Sequence, residues 1–293
     1  MTFLAEILPQ TSPFWEYSNP PAGMVAAGVF FLLLICIGIA VDIGLALYLV
    51  KRPVRLSEWH RTLADRALPP QLILMITGLF LGLYLLNSLA YSFLFSGGEI
   101  EPHTVIFQTL FFHLPVLGLL GLLFHFAGIQ GRELFGLHWK KMPSLLGLSV
   151  IFYLAALPLL WFYSALYQIF LQQLGHDFYL QDVAQVLTAP APWPLRAELF
   201  FVVIIVAPVF EEIIFRGILL PFFVCRAGFW PGIALVSLLF AGLHWHLPSL
   251  LPLFLLSAMF SLAFARTRSL LVPMGMHVAF NGVTVALLLL MGG

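Results

Sequence analysis

The sequence predicts an all-α fold, a polytopic transmembrane helical bundle of about eight helices, and three observations carry that prediction. Of 293 residues, 61% are hydrophobic and only 9% are charged, where a soluble domain carries roughly a quarter charged residues. The apolar residues gather in continuous runs, and a helix rising 1.5 Å per residue needs about 20 of them to cross a hydrocarbon core about 30 Å thick. The runs do not alternate apolar with polar, which excludes a transmembrane β-barrel.

Eight runs meet this requirement, near 24–50, 71–96, 104–128, 145–172, 197–225, 229–247, 248–265 and 270–291. The first 23 residues contain no Lys or Arg, so the basic n-region of a cleavable signal peptide is missing and the first span is expected to stay in the membrane. Basic residues follow the first span (Lys51, Arg52, Arg55, Arg61, Arg66), the third (Arg132, Lys140, Lys141), the fifth (Arg226) and the seventh (Arg266, Arg268). With the N-terminus outside, eleven of the thirteen basic residues fall on one side, which the positive-inside rule makes cytoplasmic. The exceptions are Arg196 and Arg216. The expected outer loops are acidic or polar, Gly97–His103 with Glu99 and Glu101, and Gly175–Trp193 with Asp177 and Asp182. Both termini are therefore expected outside the cytoplasm. Compact loops of this kind fit a bacterial inner membrane.

No internal repeat marks the chain. The Pro-rich stretch Ala189–Leu195 is the best internal boundary. It divides residues 1–194, an N-terminal region of four spans, from residues 195–293, a second set of four in which ionisable groups concentrate. The two cysteines, Cys36 and Cys225, lie at mid-span and at a cytoplasmic helix end. Neither a disulfide nor a metal-type cysteine spacing results.

The fifth span reads Ala207-Pro-Val-Phe-Glu-Glu-Ile-Ile-Phe-Arg216. Ionisable side chains at membrane depth cost about 2.5–3.5 kcal/mol each on insertion scales and so mark function by default. Pro208 removes a backbone hydrogen bond just before the acids and frees carbonyls that only a polar cavity tolerates. At 100° per residue Glu212 and Arg216 share a face while Glu211 points elsewhere. Arg216 is thus the expected partner of Glu212, and Glu211 is left free to exchange a proton, as a general base must. Phe240 and His244 lie four apart on the sixth span, and His277 and Asn281 four apart on the eighth. Gly217, Gly242, Gly275 and Gly282 are expected to let these helices approach closely. Of the other polar groups, His113 and His125 are read as side chains bonded to carbonyls and His246 as an interfacial histidine. Asp42 is read equally as a structural partner of another helix or a functional acid.

Glu-Glu-x-x-x-Arg at 211–216, Phe-x-x-x-His at 240–244 and His-x-x-x-Asn at 277–281, in order on successive membrane helices, resemble the CAAX protease and bacteriocin-processing family of intramembrane proteases, also called CPBP or Abi. The resemblance covers about residues 195–291. It implies a peptide or protein substrate, with or without a lipid anchor, a surrounding of membrane lipids, and no nucleic acid. It implies that Glu211 and His244 activate a water, that His277 and Asn281 stabilise the oxyanion, and that Glu212, Arg216 and Phe240 support them. No cofactor is expected. Three other readings use the same residues: a zinc protease ligated by Glu211, His244 and His277, an ion-coupled transporter, and a non-catalytic adaptor or immunity protein on the same fold.

Overall fold

The computed structural model describes residues 21–51, 55–94, 102–176, 179, 181–188 and 191–292. The N-terminal stretch read for a signal peptide, Arg52, residues 97–101 with Glu99 and Glu101, Asp177 and the start of the Pro-rich boundary at 189–190 lie outside them, as does the side chain of Asp182. Every described element is helical. In chain order these are α1 (Ala22–Lys51), α2 (Leu56–Ala64), α3 (Pro70–Leu94), α4 (102–126), α5 (Met142–Gln173), α6 (Asp182–Thr188), α7 (193–227), α8 (Phe229–Gly242), α9 (Leu250–Thr267) and α10 (Leu271–Gly292).

Six helical segments are long and apolar enough to cross a membrane, and they correspond to the expected spans one to four, seven and eight. The remaining two depart from the usual form for physical reasons. The fifth, α7, carries the three charged residues in its middle. The sixth, α8, has 14 residues and so rises only about 21 Å. It ends at Gly242 rather than continuing to 247, because Trp245 takes a left-handed φ of 49° and the chain turns into a short 3₁₀ segment, Leu247–Ser249. From α5, Tyr167 Oη donates to the carbonyl of Leu247 at 3.1 Å and Gln168 Nε2 to that of Pro248 at 3.0 Å, holding this turn in place.

One stretch expected as loop is a helix. α2, entered at the exposed Arg55, carries the exposed Arg61 and the buried Leu63; it packs on the last turns of α7, and its Trp59 meets Phe229 at the start of α8 with ring centroids 6.2 Å apart.

The main buried cluster crosses the 194/195 boundary, joining Leu63, Phe112, Tyr153, Phe210, Phe240 and Phe260. Two of the expected glycine contacts also cross it. A Cβ on Gly275 would stand 2.5 Å from Ser149 Oγ of α5, and one on Gly217 2.6 Å from Phe135 Cε1. Gly282 lies opposite Ile204 of α7 at ordinary distance, and Gly242 faces open space. The close approaches thus bind α7 and α10 to the N-terminal half rather than to each other. α5 packs on α1, α9 and α10.

Candidate active site

The site is built on α7, whose winding changes twice around the glutamates. Its backbone widens into π-helix at Val202–Val206, returns to α-helix at Ala207–Glu212, and widens again at Ile213–Leu219. Each π segment ends two residues before a proline, Pro208 and Pro221, and the single π segment of α4, Thr109–His113, ends two residues before Pro115. A proline inside a helix has no N–H to give and clashes with the carbonyl one turn back. A wider turn before it relieves that clash, and such bulges are frequent at functional sites. The consequence at Pro208 is direct. The Ala207 N–H bonds the carbonyl of Val202, five residues back, so the next donor in the series, needed by the Val203 carbonyl, falls on Pro208 and is missing. Asn281 Nδ2 supplies it from α10 at 2.8 Å.

Glu212 and Arg216 are both fully buried and paired, Arg216 Nη1 donating to Glu212 Oε1 at 2.8 Å. Arg216 Nη2 donates to the Ser257 carbonyl at 3.1 Å and to Ser257 Oγ at 2.7 Å on α9. The guanidinium lies between the rings of Phe240 and Phe260, 4.7 and 5.0 Å from their centroids. Cation–π contacts of this desolvated kind contribute about 2 kcal/mol. Ser257 and Phe260 were not among the expected residues. Their one sequence signal is that Ser257 and Ser261 stand one turn apart on an apolar helix, which by itself reads as ordinary packing.

His277 links the two glutamates. Its Nδ1 lies 2.9 Å from Glu212 Oε1, and its Nε2 lies 3.8 Å from Glu211 Oε2. The Glu211 side chain is 24% exposed, yet its Oε2 is buried without a hydrogen-bond partner. Glu212 Oε2 is buried without a hydrogen-bond partner too, so the adjacent glutamates differ in their cation: Arg216 locks Glu212, as the helical faces predict, and Glu211 has only His277 near it, at 3.8 Å. A buried carboxylate oxygen without a partner is costly and calls for a ligand, water or substrate group. A cavity of about 470 Å³ runs along the face of α4 from Arg132 and Leu137 to Ile213, and neither glutamate nor His244, His277 or Asn281 lines it.

His244 sits in the turn just past α8, half-buried, its ring centroid 4.8 Å from that of Phe240 and its Nδ1 2.7 Å from the Phe240 carbonyl. A carbonyl only accepts, so Nδ1 carries the proton and Nε2 is left as an acceptor. Phe240 is fully buried and also meets His277 at 5.9 Å, so one ring touches Arg216, His244 and His277. His246 turns away from this group. It is buried, with Nδ1 on Ser249 Oγ at 2.8 Å and Nε2 on the Tyr179 carbonyl at 3.0 Å, and is a structural tie rather than an interfacial residue.

His113 bonds a carbonyl as expected, that of Gln108. His125 does not: it is exposed at the last turn of α4 and has no hydrogen bond among the described residues. Asp42 likewise makes no hydrogen bond or ion pair among the described residues and is only half-buried. Among the described residues no three His, Cys, Asp or Glu side chains form a group able to hold a metal ion.

No curated protein and no solved structure matches the chain. Residues 193–283 match a family model described as Rce1-like, type II CAAX prenyl endopeptidase Rce1-like. The matched stretch contains all three motifs and all the ion-paired groups of α7 and α10. The match agrees with the family resemblance that the three motifs carry.

Proposed function

We propose that the protein is an intramembrane endopeptidase of the CAAX type that hydrolyses a peptide bond with water, Glu211 serving as general base. The observation that carries this reading is the contrast between the two glutamates: Glu212, fully buried, is fixed by Arg216 and His277, while Glu211 is partly exposed, makes no hydrogen bond among the described residues and lies 3.8 Å from His277 Nε2. In this reading Glu211 accepts from the water, and His244, whose Nε2 is an acceptor, assists it. As the water oxygen bonds to the scissile carbonyl carbon, its proton passes to Glu211. When the carbon–nitrogen bond breaks, Glu211 returns that proton to the leaving amine.

The growing oxyanion needs donors. Asn281 has a second N–H beyond the one given to Val203. His277 meets a stricter condition, because Nδ1–H is already committed to the Glu212 carboxylate, so Nε2 donates only from the imidazolium. The protein substrate is taken to be one whose cleavage site enters the membrane, with or without a prenyl group, and the membrane is taken to be a bacterial inner membrane.

The first test is Glu211→Gln in purified protein, assayed with an internally quenched peptide ending in a CAAX sequence, with and without farnesyl on its cysteine. Loss of general-base help lowers turnover by about 10²–10⁴-fold, with the thermal midpoint nearly unchanged. Near-normal turnover in this variant would remove Glu211 from the mechanism. The second test is chelation. With Glu211 as base rather than ligand, dialysis against a strong chelator leaves activity intact. Activity lost on zinc removal and restored on its return would instead assign Glu211, His244 and His277 as ligands.

A further inference from the structure

The cavity beside α4 contains none of the paired groups of the candidate site, and its lining has an order of its own. Leu117, Leu120 and Phe124, from the last turns of α4, form one wall and Ile213 of α7 another. Past the end of α4 the chain turns back and adds Arg132 and Leu137. The cavity is therefore apolar along the end of a membrane span and cationic just beyond it. Its volume of about 470 Å³ falls within the range of about 300–1,000 Å³ that holds a single small ligand. At this depth the molecules that reach an apolar cavity are lipids.

Arg132 is exposed and gives the protein only its Nε, to the Leu137 carbonyl at 3.4 Å. Glu133, next in the chain, forms no ion pair with it among the described residues. Both Nη groups are left as a donor fork, the geometry that matches a phosphate. His125, in the last turn of α4, lines the same cavity without a hydrogen bond among the described residues.

We propose that this cavity binds an acyl chain of an anionic phospholipid, with Arg132 holding the phosphate and His125 beside it. Charge selects an anionic lipid over a zwitterionic one. Lys140 and Lys141 are exposed in the next helical turn, and basic pockets at the ends of spans attract anionic headgroups. A farnesyl chain on a CAAX-type substrate fits less well, because its thioether offers Arg132 no charge and no residue of the candidate site lines the cavity. The occupant also bears on α7. Ile213 opens the π-helical segment Ile213–Leu219, which carries Arg216. Phe135, in the lining too, packs so closely on that segment that a Cβ on Gly217 would stand 2.6 Å from its Cε1. A bound chain thus supports this turn, and stability reports its binding.

The experiment compares purified wild type, Arg132→Gln, Gly121→Leu and the double variant Lys140→Gln with Lys141→Gln. Each is incubated in mixed micelles with dioleoyl phosphatidylglycerol or dioleoyl phosphatidylcholine. Native mass spectrometry counts the lipids retained, and a thermal midpoint is taken in parallel. Gly121 lines the cavity and a Cβ there meets nothing within 4 Å, so leucine narrows the cavity without a clash. Wild type is expected to keep one phosphatidylglycerol per chain, preferred by about tenfold, the worth of a hydrogen bond to a charged group, and to melt higher with it. Arg132→Gln loses the preference, and Gly121→Leu retains less of either lipid. The lysine variant keeps the preference within about twofold, since charges that do not touch the phosphate are worth little. Equal retention of the two lipids by wild type, an unchanged preference in Arg132→Gln, unchanged retention in Gly121→Leu or a preference lost in the lysine variant overturns the proposal. Two further probes test other occupants. Inorganic phosphate that raises the midpoint as much as phosphatidylglycerol would leave only an anion site, and farnesylcysteine methyl ester that displaces phosphatidylglycerol would make the cavity a substrate groove. Either result overturns the proposal, and failure of both probes supports it. No readout uses proteolysis, so the outcome is separate from that of the protease reading.

Discussion

The pair Glu212–Arg216 is the fixed point from which the other side chains of the site take their positions. One carboxylate oxygen receives both Arg216 Nη1 and His277 Nδ1, so neutralising it strands a cation with no water to solvate it. Glu212→Gln is therefore expected to lower stability by about 3–5 kcal/mol, the cost of breaking a buried pair by removing one partner, and to lower activity along with it. The double variant Glu212→Gln with Arg216→Gln recovers part of that stability because neither charge is left alone. Thermal midpoints in detergent decide the matter, and a double variant no more stable than Glu212→Gln would show that the ion pair is not what the single change breaks. That Glu212 rather than Glu211 pairs with Arg216 was legible in the sequence, because residues four apart on a helix share a face. The sandwich of Arg216 by Phe240 and Phe260, and its bonds to Ser257, were not. They depend on how α9 is rotated against α7, which no periodicity within α9 encodes when serines and phenylalanines line several faces of it.

At the scale of elements, prolines and glycines did most of the shaping, and they were only half legible. Pro208 could be read as freeing a carbonyl, but the identity of the group that claims it, Asn281, depends on the register between α7 and α10. The recurrence of one pattern, a π-turn ending two residues before Pro115, Pro208 and Pro221, points to a local cause. The glycines were legible as points of close approach, but their partners were not: Gly275 and Gly217 admit Ser149 and Phe135 of the N-terminal half. Gly275→Ala should then cost about 1–3 kcal/mol, the usual range for overpacking, since its Cβ would stand 2.7 Å from that of Ser149. Adding Ser149→Gly opens the same space and should restore the midpoint in part. Equal midpoints for wild type and Gly275→Ala would mean that α5 and α10 have room to separate.

For the whole molecule the open question is which end faces the cytoplasm, and the basic segments argue for a single answer because the fold brings them together. Arg66, after α2, donates from Nη2 to the Arg268 carbonyl at 2.9 Å. The Phe135 carbonyl, beside Arg132, accepts the N–H of Leu270 at 2.9 Å, and Gly136, at φ 61°, lies so close to the Arg268 carbonyl that no side chain would fit. Loops separated by more than a hundred residues therefore meet at one end of the bundle, the end at which α1, α4, α7 and α9 finish. Burial and the Arg268 cation hold Arg66 below the usual guanidinium range, but arginine starts so far above neutral pH that it remains charged. The positive-inside rule depends on such charges near span ends, so this end is expected in the cytoplasm. The chain has two cysteines, and replacing both leaves a background for single-cysteine labelling. In intact cells an impermeant maleimide should label Thr188→Cys, beyond the other end of α5, and spare Ser57→Cys on α2 until the membrane is opened. The reverse pattern would invert the protein, and with it the side of the membrane that Arg66, Arg132 and Arg268 face.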